Sequence, residues 1–135
     1  MKSRDAVSRL KRFEVEEKQR KVAEIETMIG DFSQMAQDLD RQIAIEQERA
    51  GVSDTNHYAY PTFAKAAIQR RDNLLASTAD LEAKLSAARA TLAEAFEELK
   101  KIELLEERDA ERMKIEQARA AELSAVAGMP HRVAS

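Results

Sequence analysis

The sequence contains no cysteine and no tryptophan, and only three glycines and two prolines. Each scarcity removes a class of structure. Without cysteine there is neither a disulfide framework nor thiolate chemistry, which fits a reducing compartment. Aromatic residues make up 4% of the chain and charged residues 35%. One domain's length of such a chain lacks the material for a thick globular core, so burial must be a narrow stripe along paired helices. Gly30 alone among the glycines falls inside a periodic segment, where it costs a helix roughly 1 kcal/mol against Ala. No apolar run approaches the roughly 20 residues of a membrane span, and residues 1–10 never develop a signal-peptide core. A soluble cytoplasmic protein without direct membrane insertion is the expectation.

The short signatures of catalysis are missing too. There is no glycine-rich phosphate loop, no HExxH and no nucleophile elbow, and His57 and His131 lie too far apart to suggest a shared metal. Asp54 and His57 are near neighbours, but a turn already needs such residues. Neither an enzyme nor a metal or cofactor site is expected.

What the sequence does have is periodicity. Val22, Ile25, Ile29, Phe32, Ala36, Leu39 and Ile43 follow one another at alternating steps of three and four, as do Leu81, Leu85, Ala88, Leu92, Ala95, Leu99 and Ile102. That spacing is the heptad signature of coiled-coil helices. Turn formers gather between the two runs, from Gly51 to Pro61. The fold class implied is all-α, a long antiparallel two-helix coiled-coil hairpin forming a single domain over residues 1–135.

Helix 1 is expected over about 3–50, capped by Ser3 or Asp5 and ended by Gly51. The tip covers 51–60. Helix 2 is expected over about 61–127, with Pro61 in its first turn, where the missing N–H is no loss. A hairpin folded near residue 56 leaves everything beyond about Asp109 without a partner in helix 1. Glu106, Asp109 and Glu116 occupy the seam positions there, so an overhanging charged helix end is expected, followed by a disordered tail over 128–135. At the other terminus the register reaches back to Val15 and then meets Lys11 and Ser8, while Val7, Leu10 and Phe13 point elsewhere. Two readings stay open: a stutter near residue 14, or an apolar strip offered to something other than helix 2.

Charge is uneven although the net is −3. Basic side chains dominate residues 1–21 and acidic ones residues 94–122. An antiparallel hairpin sets these runs side by side, so mutual compensation is the first reading; a nucleic-acid patch needs more net positive charge. The alternative for the basic end is entry into a ring or groove lined with acidic loops. At the tip, Tyr58, Tyr60 and Phe63 cluster where a hairpin has least interior. Either they serve as binding anchors, or Tyr60 and Phe63 fold down to plug the open end of the seam. Lys65, Arg70 and Arg71 form a basic collar nearby.

Several segments carry a family resemblance: Arg9-Leu10-Lys11-Arg12 followed by Glu14 and Glu16-Glu17, the tip from Tyr58 to Ala64, and above all the run from Glu97 to Arg108. Across nearly the whole chain, layout and placement resemble the flagellar export protein FliJ family, particularly its α-proteobacterial versions. The resemblance implies a non-enzymatic coiled-coil stalk of the flagellar type III export apparatus. Such a stalk enters and activates the hexameric export ATPase ring with the end bearing both termini, contacts an export-gate membrane protein near its tip, and helps escort substrate chaperones. The implied location is cytoplasmic, peripheral at the inner membrane near the flagellar base. Carried over by position, the ring-binding residues are Arg4, Arg9, Lys11, Arg12, Phe13, Lys100, Lys101 and Arg108. The gate-facing residues are Ile45, Tyr58, Tyr60, Phe63, Ala67 and Arg70. The reading from a different class is a coiled-coil chaperone or adaptor that binds client helices without an ATPase. A homo-oligomeric rod is a third, and nucleic-acid binding comes last.

Overall fold

Two long helices account for nearly all of the chain, α1 (Lys2–Ala50) and α2 (Thr62–Ala127). The structure is a computed structural model; it describes residues 2–128, with side-chain surroundings from residue 5. The fold is all-α, with no strand among the described residues. It divides into two compact units, one of residues 1–14 with 95–135 and one of residues 15–94.

The second unit is an antiparallel hairpin. Val22, Ile25, Leu81 and Leu85 form one buried cluster, with Ile29, Phe32, Ala88 and Leu92 packed against it. Leu39, Ile43 and Ala67 form another, joined by Ile68 and Leu74. Writing the heptad as abcdefg, these side chains, apart from Ile68 at e, fall at a and d, the positions that face a partner helix. Each buried Leu or Ile removes enough apolar surface from water to favour the pair by roughly 1.5–3 kcal/mol. Arg71 and Thr78 also stand at a. Arg71 donates to Asp40 of α1 at 2.9 Å and to its neighbour Asp72 at 3.1 Å, and the Thr78 hydroxyl donates to the Leu74 carbonyl at 2.9 Å. At the e positions Arg89 reaches Glu26 at 3.5 Å.

Gly51 ends α1 as expected, in the left-handed region at φ 67°, and its N–H reaches back to the Glu48 carbonyl at 3.3 Å. A side chain with a Cβ enters that region only under strain. Pro61 lies one residue before α2 rather than in its first turn. Its carbonyl accepts from the Lys65 N–H at 3.1 Å, the first bond of the helix, and its missing N–H costs nothing there. Asp5 is likewise not a cap. It sits inside the first turn of a helix that already runs from Lys2, where a carboxylate favours the positive end of the helix dipole.

In the first unit, buried positions keep the heptad spacing. Ser8 is only 1% exposed and Lys11 is half-buried, while Val7, Leu10 and Phe13 are exposed. A stutter near residue 14 is therefore not what happens: the a/d register carries on through polar residues, and the apolar ones look outward. On α2, Ala95 and Leu99 are buried and Ile102, Glu106 and Asp109 half-buried. From Ala110 to Gly128 every described residue is exposed, in line with the expected overhang. The tail expected over 128–135 lies, beyond Gly128, outside the described residues.

Candidate functional site

The residues singled out for ring binding all belong to the first unit. There the polar seam shapes their surroundings. Lys11 Nζ donates to Glu98 Oε2 at 2.8 Å and to Glu14 Oε2 at 3.2 Å. These hydrogen bonds, Glu98 first, raise the lysine's pKa. Arg12 stands at an e position and lies 4.0 Å from Glu103 and 3.9 Å from Glu106. Compensation between the basic start and the acidic stretch is thus realised by Lys11 and Arg12. Solvated pairs of this kind are screened by water and contribute little, so they set register more than stability.

The remaining members face outward. Arg9 is exposed, its Nε donating to the Asp5 carbonyl of its own helix at 3.3 Å, and Phe13, Lys101 and Arg108 are exposed as well. Lys100 is exposed and 3.9 Å from Glu97. The Arg4 side chain lies outside the described residues. Asp5, Ser8, Arg9, Arg12 and Glu106 surround a small open hollow. At its floor Ser8 Oγ and Glu106 Oε1 are buried with no hydrogen-bond partner among the described residues. Nothing in the sequence signals that pair except that both stand at a positions.

The gate-facing set belongs to the second unit, and the structure divides it. Tyr58 is 95% exposed, stacked on His57 with ring centroids 4.6 Å apart, and Ile45, Phe63 and Arg70 are exposed too. Tyr60 is 5% exposed, and its hydroxyl accepts a hydrogen bond of 2.8 Å from the Gln47 side chain. Ala67 is buried in the seam. Tyr60 and Ala67 therefore cannot belong to a contact surface as expected: heptad spacing carries the seam back through Ala67 and Ala64 to Tyr60, which closes its end. Of the two residues weighed as a plug, Tyr60 closes the seam and Phe63 does not: it stays outside, as Tyr58 does.

The turn residues are occupied with the turn. The Asp54 side chain accepts from the Asn56 N–H and its carbonyl from the His57 N–H, while His57 Nδ1 accepts from the Ala59 N–H. A groove on the same unit has Phe32, Leu39 and Leu74 inside, Met35 and Ser77 as walls, and Arg70 at its rim. Among the described residues no helix is long and apolar enough to cross a membrane, and no group of acidic and histidine side chains is arranged to hold a metal ion.

No family model, curated protein or solved structure matches the chain.

Proposed function

We propose that the protein is a non-enzymatic stalk and activator of the flagellar type III export ATPase ring, which also engages the export gate and assists export of flagellar substrates. The reading starts from the resemblance carried by Arg9 to Glu17, Tyr58 to Ala64 and Glu97 to Arg108. The observation that supports it most is the bare stretch of α2 from Ala110 to Ala127, in the same unit as the outward-facing Val7, Leu10 and Phe13. A helix on which none of the described residues packs is marginal in water and gains from an external partner. A ring that closes around this unit would supply one, with Arg9, Phe13, Lys101 and Arg108 as its contacts. Lys11 and Arg12 would hold the two helices together inside it.

Gate contact falls to Ile45, Tyr58, Phe63 and Arg70. Under this reading the protein works in the cytoplasm, peripheral to the inner membrane at the flagellar base, with substrate chaperones as further partners. The test is to mix the purified chain with the export ATPase of the same organism and measure ATP hydrolysis and particle mass together. Stimulated hydrolysis and one chain per ATPase hexamer are expected; no binding and no stimulation would refute it. Arg9→Glu with Arg108→Glu should reduce both readouts. Tyr58→Ala with Phe63→Ala should weaken gate binding with helicity unchanged.

The outward apolar strip also favours a second reading, a coiled-coil chaperone or adaptor for client helices. Binding that is indifferent to nucleotide and to the ATPase would select it.

A further inference from the structure

The register of the first unit fixes where α2 runs out of a partner. Arg12 and Glu103 stand at e and lie 4.0 Å apart, and Lys11 at d reaches Glu98 at g at 2.8 Å. These pairs set Ser8 level with Ile102 and the start of α1 level with Asp109. Asp109 is half-buried, and every described residue beyond it is exposed. The heptad nevertheless carries on, with Met113, Ala120 and Ala127 at a and Glu116 and Leu123 at d. From Ala110 to Ala127, about 27 Å of helix keeps a seam that none of the described residues covers.

That seam is complementary to its own reverse. Two copies laid antiparallel about a two-fold axis near Ala118 set Met113 level with Leu123 of the second copy, and Ala120 level with its Glu116. Each layer occurs twice by symmetry. Leu105 and Val126, both at g, come together beside the seam. All four large apolar side chains are exposed in the single chain, Leu123 by 71% and Val126 by 66%. Glu116 at d then stands to Arg119 of the second copy, at g, as Lys11 at d stands to Glu98 at g, a pair that closes at 2.8 Å. Two such ion pairs cross the axis. Arg112 approaches Arg119 of the second copy g to g, and that like-charge contact is offset by Glu116 and Glu122, which lie one turn from these arginines on the same helix. A parallel pairing would set Glu116 against Glu116.

Length decides the occupant. Ala127 is the last residue of α2, and in this register Ala127 of the second copy lies level with Asp109. The incoming helix therefore ends where α1 begins, and its negative carbonyl end points at the positive amide end of α1. We propose that the chain forms an antiparallel dimer through residues 110–127 of α2, in which the second copy continues the seam that α1 leaves off. This pairing does not depend on the export reading, and it is measured on the chain alone. If that reading holds, the dimer must open before one chain enters a ring, because both occupants claim the same stretch.

The test is sedimentation equilibrium of the full chain from about 1 to about 200 μM. The mass should double across that range, with half-association between about 1 and 100 μM. Leu123→Asp should keep the chain monomeric throughout, and thermal unfolding of this variant followed by circular dichroism should still report the seam of residues 15–94. Glu116→Lys and Arg119→Glu should each weaken self-association at least about tenfold, and an equimolar mixture of the two variants should recover it, since each then supplies the charge the other lacks. The chain has no cysteine of its own, so Ala110→Cys carries a single nitroxide. In the dimer the two labels should be centred about 25 Å apart, chiefly the axial offset of the two sites. A monomer mass at every concentration, an undiminished dimer in Leu123→Asp, no recovery on mixing, or labels closer than that offset, as in a parallel pair, would overturn the proposal.

Discussion

Both units place polar residues in the seam, and they treat them differently. In the hairpin of residues 15–94, Arg71 and Thr78 interrupt the apolar layers, but Arg71 reaches Asp40 and Asp72 and the Thr78 hydroxyl has the Leu74 carbonyl. In the unit of residues 1–14 and 95–135, Ser8 Oγ and Glu106 Oε1 are buried without such partners. A satisfied polar residue in a seam fixes register at modest cost, whereas an unsatisfied one costs roughly 1–3 kcal/mol. Arg71 and Thr78 each have a bond in the first arrangement; in the second Lys11 has two, to Glu98 and Glu14, while Ser8 Oγ and Glu106 Oε1 have none among the described residues.

The difference should be largest for apolar truncations. Leu81→Ala, within the cluster of Val22, Ile25 and Leu85, should destabilise the chain by roughly 2–4 kcal/mol. Leu104→Ala, at an exposed position of the other unit, should fall within about 0.5 kcal/mol of the parent. Urea unfolding followed by circular dichroism measures both. Equal losses would mean that the two regions do not differ in the way described.

Deleting seam hydroxyls should produce effects of opposite sign. Ser8→Ala removes an unsatisfied group and improves helix propensity, so it should stabilise by about 1 kcal/mol. Thr78→Ala loses a bonded hydroxyl and a packed methyl and should destabilise by about 1 kcal/mol. A destabilising Ser8→Ala would show that its hydroxyl has a bonding role.

The paired region can be sharpened further through its glycines. A Cβ at Gly30 would meet nothing within 4 Å, so Gly30→Ala should stabilise the chain by the roughly 0.5–1 kcal/mol that Gly costs in a helix interior and so raise its melting temperature. Gly51 has equal space but a φ of +67°, and Gly51→Ala should lower stability by about 1 kcal/mol. Space alone would predict the same sign for both.

Legibility in the sequence follows the same division. Where the seam is apolar, from Val22 to Ile43 and from Leu81 to Ile102, its residues stand out by spacing, and Gly51 marks the helix end by its chemistry. Where the seam is built from Ser8, Lys11, Arg71 or Thr78, a hydrophobic pattern cannot trace it, because burial there rests on register inherited from neighbouring heptads. That is why Ser8 and Lys11 suggest a slip that does not occur; for Tyr60, weighed both as anchor and as plug, burial and the Gln47 bond decide for the plug. Site legibility was lower still. Charge identified the basic arm, but which cations face α2 and which face outward depends on the e and g positions of both helices together.

The smallest expected effect separates the units by pH. Lys11 ties α1 to α2 in the first unit, and its pKa is raised above the ordinary 10.5 by its bonds to Glu98 and Glu14. A raised lysine pKa means that the folded state binds the proton more tightly than the unfolded chain. Its contribution is therefore complete below the unfolded pKa and is lost as pH rises through the folded one. Arg71, which plays the same part in the second unit, is also shifted upward, from the already higher range of a guanidinium, so it stays charged through that window. Raising the pH past 10.5 should thus weaken the lysine bridge and leave the arginine bridge intact. Amide hydrogen exchange corrected for intrinsic rates should show protection falling in residues 5–14 before it falls around Asp40 and Arg71. Lys11→Gln should remove that early loss, and Lys11→Arg should move it out of the accessible range. Because the Lys11 ammonium is solvated, the change should be slight and should shrink with added salt. Simultaneous loss in both units would place the alkaline transition elsewhere than at this bridge.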